Sequence, residues 1–128
     1  MESKQVLVMR KMVPNCRTGK YCAQAGHAAV GAVFAQGQID GDFFKIPLKD
    51  PFVREWVTGR FKKVTVYVET DEQLVEIFNQ ARKAGLLSSL IRDAGLTEFN
   101  GVPTLTCVAV GPDYVDNVDM VTKGLPLL

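Results

Sequence analysis

The sequence predicts an α/β fold whose sheet is mostly parallel and covered by helices on both faces. Three observations carry that expectation. Short β-branched and aliphatic runs recur along the chain, at QVLVMR, KVTVYVE, SSLIRD and TLTCVAVG. Longer segments with apolar residues at helical spacing lie between most of them. The resulting order, β, α, α, β, α, β, β, α, is the alternation that builds strand–helix–strand units, and the close succession of the third and fourth strands adds an antiparallel pairing. At 128 residues and 47% hydrophobic content, the chain is one domain able to bury a core.

Each element has a local reason. Gln5 to Arg10 is short and rich in Val and Leu, which suits a buried strand, and Pro14 and Asn15 end it. The next run, TGKYCAQAGHAAVGA from Thr18, consists mostly of small residues and reads as a closely packed helix, capped by Thr18 or its neighbour and fading near Gly37. QGQIDGDFFKIPLKD then reads as loop. Asp50 is placed to cap a helix whose first residue, Pro51, loses nothing by lacking an amide hydrogen. Lys63 to Glu69 alternates as a strand and runs into Thr70-Asp71-Glu72-Gln73, a capping-box pattern. Leu74, Ile77, Phe78 and Ala81 form the apolar face of that helix, and Gly85 stops it. Ser88–Asp93 and Thr104–Gly111 are the third and fourth strands. A final helix near Asp113 turns Tyr114 or Val115, Val118 and Val121 inward before the tail GLPLL.

The formal charge of +1 does not by itself announce a nucleic-acid binder. Positive groups cluster locally, at Arg10, Lys11, Arg17 and Lys20 and again at Arg60, Lys62 and Lys63. Three cysteines, Cys16, Cys22 and Cys107, lack CxxC spacing and read as reduced thiols. The N-terminus enters a strand without a leader pattern, and no apolar run approaches the ~18 residues of a membrane span, so the expectation is a soluble, cytoplasmic protein with no membrane partner.

Several chemistries find no support in the letters. One histidine makes no His-rich metal cage, and neither a G-x-S-x-G elbow nor a Walker loop occurs, so no metal or cofactor is expected. Cys22 and His27 form a conceivable nucleophilic pair, although a cysteine on an alanine-rich helix is more often a packed residue. What remains is a polar stripe, Lys20, Gln24 and His27 at i, i+4 and i+7, and the turn D-A-G-L-T at Asp93 to Thr97, in a loop at the carboxyl end of a strand. Each has an ordinary reading too, as a solvated charge and a turn former.

Four motifs in order, GKYCAQAGHAAVGA, SLIRDAGLT, TLTCVAVGP and VTKGLPLL, resemble the signatures of the peptidyl-tRNA hydrolase type 2 family over nearly the whole chain. The resemblance implies a single domain over 1–128, a three-layer α/β/α sandwich around a mixed, mostly parallel four-stranded sheet, and a homodimer. It implies hydrolysis of the ester joining a peptide to the terminal ribose of tRNA. It matches catalytic positions to Lys20, Asp93 and Thr97, and further signature positions to Gln24, His27 and Thr106.

These residue types suit ester hydrolysis by water. Asp93 accepts a proton from water or orients it, Lys20 offsets charge growing on the carbonyl or leaving oxygen, and Thr97 positions water or substrate. Gln24 and His27 read as supports, with a structural hydrogen bond favoured for His27. The tRNA is expected to lie across Arg17, Lys20, Lys62 and Lys63, held through phosphates. Leu96 stands where the family commonly has a basic residue, and the loop Glu98 to Pro103 departs from the family's pattern. Those departures suggest, as an alternative, a catalytically weak or inactive tRNA-binding or protein-interaction module. An unrelated hydrolase of small esters is a third reading.

Overall fold

The structure is a computed structural model that describes residues 1–11, 16–48, 50–95 and 101–128. Strand β1 (Ser3–Arg10) is buried along nearly its whole length, and so is β6 (Thr104–Tyr114). The continuous apolar runs of both sequences follow from that position, since a central strand covered on both faces has no solvent side. Strand β4 (Lys63–Val68) flanks β1, and β5 (Ser88–Asp93) flanks β6, giving the order β4-β1-β6-β5.

The pairings refine the expected sheet. β1 and β4 are parallel, whereas β6 is antiparallel to both β1 and β5. Thus β1, β4 and β5 point the same way, as expected, but β6 inserts between two of them and leaves a single parallel pair. A direct return from β5 to β6 needs no helical crossover, which only parallel neighbours require.

Helix α1 (Thr18–Phe34) covers one face of the sheet, with Ala28, Ala29 and Ala32 against Leu7, Met9, Cys107 and Ala109. On the other face α3 (Asp71–Lys83) and α4 (Val115–Thr122) bring Leu74, Ile77, Ala81 and Val118 against Val6, Val8, Val66 and Val108. These are the three layers of the sandwich. The capping box at Thr70 and Gln73 forms as the sequence predicts, and α2 (Pro51–Thr58) begins with Asp50 as N-cap and Pro51 in its first turn.

Four local expectations are corrected. Part of the stretch read as loop forms a hairpin, β2 (Gln38–Asp40) with β3 (Phe43–Lys45), whose turn uses Gly41 at φ 60°. Aspartates and glycines hide the pairing from a periodicity argument, because its residues are exposed on both faces and show no alternation. Helix α1 has Arg17, the neighbour of Thr18, at its N-cap, but with no side-chain cap hydrogen bond, and the Asp50 side chain does not cap α2. The last strand continues through Tyr114 because β1 keeps pairing with it at Lys4–Asp113 and Ser3–Tyr114 beyond a register shift. The tail is structured as well, since Tyr67 N–H donates to Pro126 O and Leu128 N–H to Thr65 O, closing the outer edge of β4.

Candidate active site

The first turns of α1 and the end of β5 meet beside the carboxyl end of the sheet. Lys20 Nζ lies 3.0 Å from Asp93 Oδ1, a contact between residues 73 apart in sequence. Their side chains are only 13% and 16% exposed, so the pair is shielded from solvent without being sealed from it. Gln24 Nε2 donates to the same oxygen at 3.2 Å. On the other side of the carboxylate, Gly95 N–H donates to Asp93 Oδ2 at 2.8 Å. Asp-Ala-Gly is therefore an Asx-type turn, in which the aspartate accepts from the backbone two residues on. Gly95 has φ 81°, and a Cβ there would stand 2.2 Å from Val102 O, so both the backbone angle and the space demand glycine.

Gln24 is itself held. Thr106 Oγ1, in buried β6, donates to Gln24 Oε1 at 2.5 Å. With its oxygen occupied by the threonine hydroxyl, the amide must present its nitrogen to Asp93. Both Gln24 and Thr106 are 2% exposed, so water cannot substitute for either partner. Expected consequence: Thr106→Val lowers kcat by about tenfold through loss of this orientation, whereas Thr106→Ser restores it. Steady-state kinetics on the folded variants, with circular dichroism as the folding control, measure the difference.

Three donors on one carboxylate set its protonation. The Lys20 hydrogen bond holds the Asp93 carboxyl below its ordinary 3.8, with Gly95 N–H, the Lys20 charge and Gln24 acting in the same direction against the opposing effect of desolvation. The group is thus an anion at neutral pH and a weak base.

The other sequence-derived candidates separate. Thr97 and Leu96 lie outside the described residues, as do residues 98–100 of the Glu98 to Pro103 loop. His27 is exposed, and among the described residues nothing bonds its ring, so the expected structural hydrogen bond is absent. Three residues turn a helix by about 60° short of a full revolution, which takes His27 to the solvent side while Gln24 faces the sheet. Arg17 is exposed at the mouth of α1, next to the pair.

Lys62 and Lys63 stand elsewhere. Lys63 is opposite Gln5, at the end of the sheet remote from Arg10, Val68 and Asp93, about 17 Å from Val68 along β4. Its ammonium packs 3.2 Å from the Phe61 ring centroid and near Trp56, and desolvation lowers its pKa. Lys62 and Arg60 each approach Glu2 at 3.7 Å. Arg17 and Lys20 therefore lie at one end of the sheet, and Lys62 and Lys63 at the other. Positive groups that do share the site's end are Arg10, paired with Asp71, Lys11 over the Tyr67 ring, and exposed Arg92. The Gly95 amide is the contributor that residue-type reasoning missed. The Asp-x-Gly spacing is the signal that points to it.

The cysteines take no part in this cluster. None forms a disulfide among the described residues, and burial pushes the Cys107 thiol up to about 12. No helix among the described residues is long and apolar enough to cross a membrane.

The fold and cluster define an α/β sandwich with a half-buried lysine–aspartate pair at the carboxyl end of its sheet. The chain belongs to the family described as Peptidyl-tRNA hydrolase PTH2, whose model matches residues 3–128. It is 38% identical to a peptidyl-tRNA hydrolase of Methanopyrus kandleri, over 98% of this chain and 97% of that one. It is 39% identical to a peptidyl-tRNA hydrolase of Methanocaldococcus jannaschii, over 98% and 99%. In three dimensions it superposes on a solved protein of unknown function from Agrobacterium tumefaciens with a TM-score of 0.54, covering 100% of this chain and 98% of the other at 16% identity. That likeness speaks for the fold alone.

Proposed function

We infer that this chain hydrolyses the ester bond between a peptide and tRNA, releasing tRNA for further rounds of translation. The observation that carries the reading is the Lys20–Asp93–Gln24 cluster, assembled from residues that the family signatures bring into one chain. Asp93, an anion held by three donors, is too weak a base to remove a proton fully at neutral pH, so the remaining lone pair of Oδ2 orients the attacking water. Lys20 stands beside it as the cation that offsets charge developing on the carbonyl oxygen or the departing ribose oxygen. The N-terminus of α1, which has no side-chain cap hydrogen bond, directs the positive end of its dipole to the same mouth. Gln24 and Thr106 keep this geometry, and the resemblance assigns Thr97 to positioning water or substrate.

The tRNA end is held through phosphates by Arg17 and Lys11, with Lys62 and Lys63 contacting only more distant parts of the molecule. A ribosome-made substrate supports a cytoplasmic place of action. Resemblance to a dimeric family supports a homodimer, which sedimentation at micromolar concentration measures.

The decisive experiment follows release of N-acetyl-aminoacyl groups from tRNA by the purified protein, with and without excess uncharged tRNA. Turnover inhibited by that competitor is expected. Binding without turnover identifies an inactive binding module, and turnover of small esters that tRNA leaves unaffected identifies an unrelated esterase.

A further inference from the structure

The two edges of the sheet are treated differently. The outer edge of β4 is closed by the C-terminal tail, through Pro126, Leu127 and Leu128. Among the described residues β5 pairs only with β6, and its other edge is open. The direction of its free groups follows from register. Gly111 N–H donates to Leu87 O at 2.7 Å, and the pairs Ser88–Val110 and Ser89–Ala109 continue that register. Alternation in an antiparallel pair then turns the peptide groups of Leu87, Ser89 and Ile91 toward β6 and those of Ser88 and Leu90 outward.

That edge begins and ends at notable places. Its last residue is Asp93 itself. At its start, a cavity of about 270 Å³ straddles the edge between the ends of α1 and α3, lined by Ala32, Ala35, Gln36, Arg82, Leu87 and Ser88. Ser88 is 4% exposed, and its Oγ has no hydrogen-bond partner among the described residues. An unsatisfied buried hydroxyl beside a mixed polar and apolar cavity favours a polar occupant.

We propose that the open edge of β5 is the peptide subsite: the nascent peptide of the substrate pairs with it as an added strand, parallel to β5, with its ester carbonyl at Asp93. The inference rests on the hydrolase reading above. Main-chain pairing suits a substrate whose side chains vary without limit, because every peptide offers the same N–H and C=O groups. Continuity favours this occupant over any other, since a peptide whose carboxyl carbon sits at Asp93 and whose chain runs back along the strand reaches the cavity at Ser88 after five residues, about 17 Å. Main-chain pairing along that edge is the same in the ground and transition states, and such uniform binding lowers KM without raising kcat.

The test compares N-acetyl-aminoacyl-tRNA, N-acetyl-pentapeptidyl-tRNA and an eight-residue substrate sharing one C-terminal residue. The pentapeptide is expected to lower KM about tenfold or more, from a few added backbone hydrogen bonds, with no further gain at eight residues. Exchanging upstream side chains between glycine and alanine leaves the gain intact. N-methylation at alternate residues abolishes it in one register and spares it in the other. Equal KM for one and five residues, or N-methylation without effect in either register, overturns the proposal. Hydrolysis of the one-residue substrate tests the hydrolase reading separately, since it does not use the edge.

Discussion

Asp93→Asn is expected to reduce kcat by about 10²–10⁴-fold, the span associated with losing a positioned acid–base group, while thermal unfolding stays cooperative. The carboxylate accepts from Lys20 and Gln24 at Oδ1 and from Gly95 N–H at Oδ2. An amide of the same shape offers one acceptor and two donors, so whichever way it turns, an N–H meets donors that formerly faced an oxygen. The variant also loses the negative charge that holds the lysine at the mouth of α1 and draws the hydrogen of the attacking water. Measurement of single-turnover hydrolysis alongside near-ultraviolet circular dichroism separates chemistry from folding. Retention of more than a tenth of wild-type turnover in a folded Asp93→Asn protein rules out Asp93 as a catalytic group.

Lys20→Ala is expected to cost about 10²–10³-fold in kcat, the magnitude of removing one preorganised stabiliser of developing charge. It has a second signature in pH. The lysine hydrogen bond is the largest cause of the depressed Asp93 pKa, so its removal raises that pKa toward or above the ordinary 3.8. Asp93 must be ionised to work, hence the acid limb of the rate profile moves to higher pH in the variant and lies below the ordinary carboxylate range in the wild type. Stability follows the same sign. A depressed pKa stabilises the fold at pH values above 3.8, and that contribution disappears as pH falls through the lower native value. An acid limb that stays in place when the lysine is removed contradicts the assignment. Lys20→Arg is the informative companion, because it keeps the charge but replaces a compact ammonium with a planar fork, so it preserves the pH profile better than the rate.

Much of the architecture is legible in local patterns. The four sheet strands, the capping box at Thr70 and Gln73 and the start of α2 at Pro51 depend on interactions between residues a few positions apart, which periodicity and capping rules register directly. The hairpin of β2 and β3 escapes those rules, because exposed strands owe nothing to an apolar face. Within the site, Lys20, Gln24, Asp93 and Thr106 stand out by motif, yet their letters do not say which of them touch.

Sequence alone determined the α/β class and that α1 is built of small residues able to lie close to a sheet, and it singled out a lysine at a helix start and an Asp-x-Gly turn as candidates for the chemistry. Tertiary structure decided the rest. Insertion of β6 between β1 and β5 leaves one parallel pair and brings Asp93 beneath the first turns of α1, across 73 residues of chain. Helix rotation turns Gln24 inward to Thr106 and His27 out to solvent, although both belong to one polar stripe. Strand direction sends Lys62 and Lys63 to the far end of the sheet, away from the basic residues near Asp93. The physical reason is common to all three: periodicity says which residues share a face of one element, but only the packing of elements determines what that face meets.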